Sequence, residues 1–439
     1  MQERSSTGLI VCRQRLHSDA QCAPLHFQGI PSYGITLAFS DAGVPPYHMG
    51  IGKSNKEEIM TTQLQNVRPY RRISPVALFK QDIVLSVSLI LAAASCLAVQ
   101  PKLSYINFKV LICLFNLMIV IKAFEELMLL DKFAIGILNK CTDTRKVSLT
   151  LILLSFFTSM LITNDIALIT LVPITLVISR KSGINMLSTV ILQTLAANIG
   201  SSLTPMGNPQ NLYIYSFYRL TPLQFFAPVA VFTISGLLWL VLLNHRRKNS
   251  KLEVSLDPVK LESKTKAAVW AALFLVILLS VFGIIHYLAA LIVTLAVTLA
   301  VNRRLILKID YLLLVTFLCF FIFIGNISGI PAINRYMAVS LHSEGATYFG
   351  SILLSQFISN VPCSVLLSGF TSNWKELLAG VNIGGMGTII ASLASVISYK
   401  LFIKENPDGG RHYMVKFSLY NFISLIVFTV VNYFILVVP

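Results

Sequence analysis

The chain has 439 residues, of which 55% are apolar and only 12% are charged, and its formal net charge is +16. Soluble domains carry about a quarter charged residues, so this composition excludes an ordinary soluble protein and indicates that lipid surrounds much of the chain. The basic residues cluster in short loops beside apolar runs, as is typical of membrane proteins, and the sequence contains no aromatic and basic nucleic-acid module. We therefore expect a protein of the lipid bilayer that binds no nucleic acid.

Residues 1–79 form a polar N-terminal extension that we expect to be disordered, because it is rich in turn-forming residues and lacks apolar periodicity. Met60 precedes a basic stretch at 68–72 and is an alternative start of the protein. Residues 1–59 would then be no part of the native product. The intact mass of the expressed protein decides between the two starts.

From residue 80 onward, apolar runs predict two membrane repeats. The first covers 80–243 and the second 286–439, and a basic cytoplasmic linker with a linking helix joins them at 244–285. Pairs of short apolar runs near 147–179 and 346–370 fall short of the roughly 20 residues per span, so they predict re-entrant helical hairpins. The fold class is therefore an all-α membrane protein with inverted-topology repeats, about nine spanning helices and two hairpins.

The distribution of Lys and Arg predicts the orientation of the chain. If both short pairs are hairpins, the basic loops all lie on the cytoplasmic side of a cytoplasmic (inner) membrane. The N-terminus is then inside and the C-terminus outside. The first hairpin enters from the cytoplasm and the second from outside.

Polar segments interrupt the apolar runs at corresponding places in the two repeats. In the first repeat, 163–165 is followed by 198–202 and 207–211; in the second, 359–362 is followed by 382–388. Paired breaks of this kind point to a transporter's binding site near the bilayer midplane. The candidate substrate- and ion-binding residues are Thr163, Asn164, Asp165, Asn198, Gly200, Ser201, Ser202, Thr204, Gly207, Asn208, Pro209, Ser359, Asn360, Pro362, Asn382, Gly384, Gly385, Gly387 and Thr388.

These residue types suit a site for an anion and a small cation. Amides at the start of a half-helix attract anions, whereas free carbonyls at its end suit a cation. Glycine permits a tight backbone, asparagine supplies donors and acceptors, and Pro209 and Pro362 are expected to end helices and free their carbonyls. The alternative is that Gly and Ser only allow close helix packing and that Asn only cross-links helices.

The polar segments also carry a family resemblance. Residues 163–167, 197–211, 358–362 and 381–384 resemble those of citrate-transporter-like proteins of the ion transporter superfamily, and the resemblance covers most of 80–439. That group includes divalent-anion/sodium symporters, arsenite permeases and sodium/proton antiporters. The resemblance implies a homodimer and, in the divalent-anion branch, a Ser-Asn-Thr triplet at each hairpin tip that contacts the substrate beside bound sodium. Both tips here keep the asparagine and differ at the third residue.

Asp165 is the only carboxylate between residues 147 and 244. An ionisable group at a hairpin tip within the membrane is a functional candidate, because burying it without a partner costs several kcal/mol. We expect Asp165 to couple transport to an ion, with Na⁺ ahead of H⁺ as the resemblance implies. No cofactor and no metal other than Na⁺ is expected. The alternative is a structural salt bridge from Asp165 to Arg180 or Lys181.

The sequence therefore predicts a secondary active transporter of a small anion, a di- or tricarboxylate such as citrate, driven by a Na⁺ or H⁺ gradient through alternating access. A Na⁺/H⁺ antiporter or an arsenite or oxyanion efflux permease of the same superfamily is the alternative within the class. An ion channel is the alternative outside it. The sequence holds no phosphate-binding loop, zinc-protease motif or nucleophile elbow, so we do not expect an enzyme.

Overall fold

The computed structural model describes residues 83–252, 255–261 and 263–436. The predicted extension at 1–79 and the alternative start at Met60 lie outside these residues. Within the described ranges the chain folds into α-helices and short 3₁₀ turns, without a β-strand. The predicted all-α class is therefore confirmed.

The α-helices of the described ranges divide into two sets of eight, separated by one helix. The first set is α1 (Ile83–Ala98), α2 (Phe108–Glu126), α3 (Leu129–Leu138), α4 (Thr144–Leu161), α5 (Asn164–Ser182), α6 (Leu187–Ser201), α7 (Pro209–Phe217) and α8 (Pro222–His245). The separating helix is α9 (Lys264–Val281). The second set is α10 (Tyr287–Asn302), α11 (Tyr311–Ser328), α12 (Pro331–Ser340), α13 (Ala346–Ile358), α14 (Asn360–Ser368), α15 (Trp374–Gly384), α16 (Leu393–Glu405) and α17 (Gly410–Leu436).

Several helices are long and apolar enough to cross a membrane. In the described part of the chain, six qualify by length and composition, namely α4, α8, α9, α10 with the 3₁₀ turn after it, α11, and α17 with the turn before it. α8 and α17 expose apolar side chains such as Leu238 and Ile426, which are 66% and 63% exposed and suit contact with lipid. The protein is thus a multi-pass membrane protein. The total of nine spans stays a prediction.

Helix packing follows the same scheme in the two sets. α1 packs on α11 and α2 on α10; α5 packs on α16 and α7 on α14; α6 packs on α17 and α8 on α15. If α10–α17 repeat α1–α8 in order, exchanging the two sets turns the contact of α1 with α11 into that of α10 with α2. The same exchange relates the α5–α16 contact to the α7–α14 contact, and the α6–α17 contact to the α8–α15 contact. This pattern supports the predicted duplication. The opposite orientation of the two repeats in the membrane stays a prediction.

The two predicted hairpins correspond to α4–α5 and α13–α14. The arms of the first have 18 and 19 residues, about 27 Å each at 1.5 Å per residue. The tip lies beside the gap between α6 and α7, because the backbone N–H of Asn164 donates to the carbonyl of Gly207 at 3.1 Å. A re-entrant hairpin and a pair of full spans both return the chain to the side of the membrane from which it entered. The predicted orientation of the later helices is therefore the same whether α4 and α5 form a hairpin or two spans. Re-entrant depth stays a prediction.

The segment between α8 and α9 is attached to the base of the first hairpin. Leu252 and Leu256 are buried in an apolar cluster with the ends of α3, α4 and α5. Arg247 donates to Ser148 at 2.5 Å and to Thr189 at 2.7 Å, and burial lowers the pKa of its guanidinium. The linker is therefore a packed element in this part, not a free loop.

Close helix packing at Gly200 gives a testable prediction. A Cβ on Gly200 would lie 2.2 Å from the carbonyl oxygen of Phe156 on α4, so G200A should force α4 and α6 apart. We expect the free energy of unfolding to fall by about 1–3 kcal/mol or more, measured as a lower melting temperature of the purified protein.

Gly136 on α3 provides the matched control for this substitution. A Cβ at Gly136 meets nothing within 4 Å. G136A should therefore be neutral or stabilise by up to about 1 kcal/mol. Equal melting temperatures for the two variants would contradict the packing of α6 against α4.

Candidate functional site

Eight helix ends meet around the two hairpin tips and the two broken helices. α5, α7, α14 and α16 begin here, and α4, α6, α13 and α15 end here. Backbone amides are free at the starts and carbonyls at the ends, because the first and last turns of a helix lack intrahelical partners. The region therefore concentrates both kinds of backbone group inside an apolar protein.

The first tip is bonded to the first break. The side-chain amide of Asn164 donates to Asn198 Oδ1 at 3.0 Å, and Asn164 Oδ1 accepts from the backbone N–H of Asp165 at 3.1 Å. Asn164 and Asn198 are buried. Thr204, in the break, donates to the carbonyl of Met160 at the end of α4. The tip and the break thus form one hydrogen-bonded unit.

Hydrogen bonds then cross between the two sets of helices. Ser392 Oγ donates to Asn198 Oδ1 at 3.0 Å, and Asn198 Nδ2 donates to the carbonyl of Gly385 at 3.4 Å. In the reciprocal direction, Asn208 Nδ2 donates to Asn382 Oδ1 at 3.3 Å. Ser392 precedes α16 as Asn208 precedes α7, so the two connections are counterparts. The site is therefore built by both halves of the chain.

The second tip contains a strained residue. Ser359 joins α13 to α14 with φ 71° and ψ 155°, a region that residues other than glycine rarely adopt. Its hydroxyl donates to the carbonyl of Ala391 at 3.3 Å. The amide of the buried Asn360 lies against Gly385, because a Cβ on Gly385 would be 2.8 Å from Asn360 Nδ2. This tip is thus closely packed on the second break.

The remaining candidates divide between the site and its surroundings. Thr388 Oγ1 donates to the carbonyl of Gln356 at 2.9 Å, which repeats the contact from Thr204 to Met160. Ser201 Oγ accepts from Asn208 Nδ2 at 3.2 Å. The hydroxyl of Ser202 instead lies 3.2 Å from the hydroxyl of Thr233 on α8.

The predicted role of the two prolines is wrong. Pro209 is the first residue of α7, and Pro362 lies in the first turn of α14. Proline is favoured at a helix start because its missing N–H has no intrahelical acceptor there. The prolines therefore begin half-helices and do not end the helices before them.

Asp165 lies in the first turn of α5 and is half-buried. Arg180 and Lys181 are in the last turn of the same helix, about 22 Å away at 1.5 Å per residue. They pair with Glu405 at 3.4 Å and with Asp257 at 3.6 Å. The alternative of a salt bridge from Asp165 to either residue is therefore excluded, and no basic residue of the described ranges pairs with its carboxylate.

Comparison with known proteins gives the family. Residues 78–373, which include both hairpin tips and the first break, match the family model described as Citrate transporter. The chain belongs to the citrate transporter family. It is 33% identical over 340 residues to an uncharacterized transporter of Methanocaldococcus jannaschii, covering 76% of this chain and 92% of the relative. It is 30% identical over 335 residues to the inner membrane protein YbiR of Escherichia coli, covering 76% of this chain and 88% of that protein.

Membership of the citrate transporter family makes the protein a membrane transporter and not an enzyme. Its glycines do serve close packing, since a Cβ on Gly207 would lie 2.2 Å from the carbonyl oxygen of Ser201, and one on Gly384 2.9 Å from Ser355. Its asparagines do cross-link helices. The packing alternative thus describes real contacts, and a binding role for the same residues stays a prediction.

In this member of the citrate transporter family, three residues bond at the site that the sequence did not predict as candidates. Asn211 bonds Asn382 at 2.7 Å, Gln356 bonds the second break, and Ser392 bonds Asn198. Asn211 and Ser392 were detectable, because Asn211 lies in a polar break and Ser392 follows Asn382 at the spacing by which Asn208 follows Asn198. Gln356 gave no such signal, since it lies inside an apolar helix.

The helix starts at the site differ in how their amides are satisfied. Asn208 caps α7 by accepting from the backbone N–H of Asn211 at 3.0 Å. Thr163, Ser359 and Ser392, which precede α5, α14 and α16, make no side-chain cap bond. The starts of α14 and α16 therefore lack a side-chain acceptor for their amides, whereas in α5 the N–H of Asp165 has one in Asn164 Oδ1.

Proposed function

We propose that this transporter is a secondary active carrier of a small carboxylate anion, a di- or tricarboxylate such as citrate, coupled to a Na⁺ or H⁺ gradient. The observation that carries the proposal is the buried amide network of Asn164, Asn198, Asn208 and Asn382, which joins both halves beside a carboxylate without an ion pair in the described ranges. A packing contact alone does not require a polar network at both breaks.

The helix starts favour an anionic solute. The N-termini of α14 and α16 lack side-chain caps, so their first backbone amides are available to donate to carboxylate oxygens. Helix N-termini carry partial positive charge, and several of them at one site bind negative groups without a lysine or arginine. Thr163, Asn164, Ser359 and Asn360 would orient the solute by side-chain hydrogen bonds.

Asp165 would hold the coupling ion. A carboxylate inside a membrane protein needs a counter-charge, and Na⁺ or a proton supplies it when no basic side chain does. Binding of the ion next to the N-terminus of α5 would remove the repulsion between Asp165 and the incoming anion. Solute and ion would therefore bind better together than apart.

Alternating access would follow from the duplication. One bundle derived from the two repeats would move against the other and expose the site first to one side and then to the other. The proposal includes two opposed repeats, at 80–243 and 286–439, with hairpins that enter from opposite sides. It also places the protein in the inner membrane as a homodimer, with the N-terminus inside.

Uptake by the purified protein in liposomes tests this function. Labelled citrate, succinate, sulfate and arsenite are supplied with an inward Na⁺ gradient, with an inward H⁺ gradient, or with neither. We expect a carboxylate to accumulate above its equilibrium level only with one of the ion gradients. If liposomes with the protein take up no carboxylate faster than empty liposomes do, the proposal is contradicted.

Asp165 itself favours a second candidate, a Na⁺/H⁺ antiporter or an efflux permease for arsenite or another oxyanion. An acidic side chain at the tip can exchange a proton for Na⁺ without an organic solute. In the same liposomes an internal pH dye would then respond to a Na⁺ pulse without any carboxylate. Arsenite flux without carboxylate flux would identify the permease.

A further inference from the structure

The side-chain nitrogen of Asn211 occupies a ring of backbone carbonyls at the first break. Asn211 Nδ2 lies 3.2 Å from the oxygen of Ser201, 3.1 Å from that of Ser202 and 3.2 Å from that of Thr204. An amide nitrogen has only two hydrogens, so three nearly equal distances resemble the surroundings of a small cation more than a set of ordinary hydrogen bonds.

A second ring surrounds the side-chain nitrogen of Gln356. Gln356 Nε2 lies 2.8 Å from the oxygen of Gly384 and 3.1 Å from the oxygens of Met386 and Ile352. Met386 follows Asn382 at the spacing by which Ser202 follows Asn198, so Ser202 and Met386 supply corresponding carbonyls. Both breaks thus place a neutral amide nitrogen against their backbone carbonyls, three at the first break and two at the second, where Ile352 of α13 supplies the third carbonyl.

The partners of the two amide oxygens fix the orientation of both side chains. Asn211 Oδ1 accepts from Asn382 Nδ2 at 2.7 Å, and Gln356 Oε1 accepts from the backbone N–H of Thr388 at 2.9 Å. A flipped amide would place its oxygen against three carbonyl oxygens and its nitrogen against a donor. The nitrogens therefore face the rings.

The two halves supply this nitrogen from different places. The position corresponding to Gln356 in the first half is Met160, and the position corresponding to Asn211 in the second half is Ser395. The hydroxyl of Ser395 is buried without a hydrogen-bond partner in the described part of the chain. Each half thus has one amide at its ring, from α7 in one case and from a hairpin arm in the other.

We propose that Asn211 and Gln356 are tethered substitutes for a cation, which fill the carbonyl rings of both breaks and keep the coupling ion out of them. The inference rests on the proposed function in one respect, since it leaves Asp165 as the place of the coupling ion. Carbonyls freed at a broken helix otherwise bind Na⁺. The two amides are positioning residues that hold the breaks closed without adding charge.

A single-atom exchange tests the proposal without any transport measurement. N211D and Q356E each replace the ring nitrogen with a carboxylate oxygen, which repels three carbonyls unless a cation lies between them. At alkaline pH in choline chloride we expect each variant to melt about 5 °C or more below the wild type, and sodium chloride to restore most of that loss in a saturable way.

Asn185 provides the control, because its exposed side chain accepts from the backbone N–H of Leu187 and an aspartate accepts equally well. N185D should melt as the wild type does in both salts. If N211D and Q356E are as stable as the wild type in choline chloride, or if sodium stabilises them no more than it stabilises N185D, the proposal is overturned. A wild type that takes up no carboxylate would contradict the proposed function. The comparison of melting temperatures in the two salts would still test the present proposal.

Transplanting the amide between the halves gives a second test. N211S empties the first ring, and the double variant M160Q/N211S supplies its nitrogen from the hairpin arm, as Gln356 does in the second half. We expect N211S to lower the melting temperature and the yield of monodisperse protein, and the double variant to recover at least half of both. A double variant no better than N211S would show that the amide in the ring is not the stabilising group.

Discussion

Replacing Asp165 with asparagine should abolish ion-driven accumulation of the solute while leaving the protein inserted and folded. The substitution keeps the size of the side chain and removes the charge that the coupling ion would neutralise. We expect initial uptake under the ion gradient to fall more than about tenfold, which corresponds to the loss of at least 1.4 kcal/mol of coupling. Initial rates in liposomes, with and without the gradient, measure the effect.

Asp257 provides the matched control for this change. It lies in the linker, is 75% exposed on its side chain and pairs with Lys181. D257N removes the same charge far from the tips and should leave uptake within about twofold of the wild type, because exposed ion pairs contribute little. If D165N keeps the cation dependence of the wild type, Asp165 has no part in coupling.

Replacing Asn382 with alanine should destabilise the protein and stop transport together. Asn382 is buried and holds the two halves at the site, since it donates to Asn211 at 2.7 Å and to the carbonyl of Leu378 at 2.8 Å and accepts from Asn208. Its removal leaves buried amides without partners, each costing about 1–3 kcal/mol. We expect the free energy of unfolding to fall by about 2–4 kcal/mol and uptake to disappear.

Asn334 provides the control for N382A, because its replacement shows what the loss of an asparagine costs outside the network between the halves. It is exposed on α12 and donates to the carbonyl of Ser328 at 3.1 Å. N334A should change the free energy of unfolding by no more than about 0.5 kcal/mol. An N382A protein with the melting temperature and uptake of N334A would contradict the network between the halves.

The positions of the tips and breaks could be read from the sequence. Asn164, Asn198, Asn360 and Asn382 interrupt long apolar runs, and a helix inside a membrane protein leaves that pattern only where polar backbone is satisfied by protein or by a wet cavity. The same logic located the duplicated order of elements. Both depend on local composition, which the sequence carries directly.

The bonds within the site could not be predicted in the same way. Asn198 pairs with Ser392, and Asn208 with Asn382, because the two halves interleave, and that arrangement depends on tertiary packing. The sequence did not predict Gln356 as a site residue, because one amide in an apolar helix is compatible with simple helix cross-linking. The roles of Pro209 and Pro362 were misjudged because proline both follows one helix and begins the next at a break.

Protection of introduced thiols tests the central claim most directly, namely that solute and ion bind between the tips and the breaks. T163C and T388C are made in a protein without its other cysteines, and their rates of reaction with a water-soluble thiol reagent are measured in liposomes. L103C, whose native side chain is 78% exposed between α1 and α2, is the reference position. We predict that a transported solute with its coupling ion slows labelling at T163C and T388C and leaves L103C unchanged. Unchanged rates at both site positions, under conditions in which the same protein transports that solute, would contradict the account.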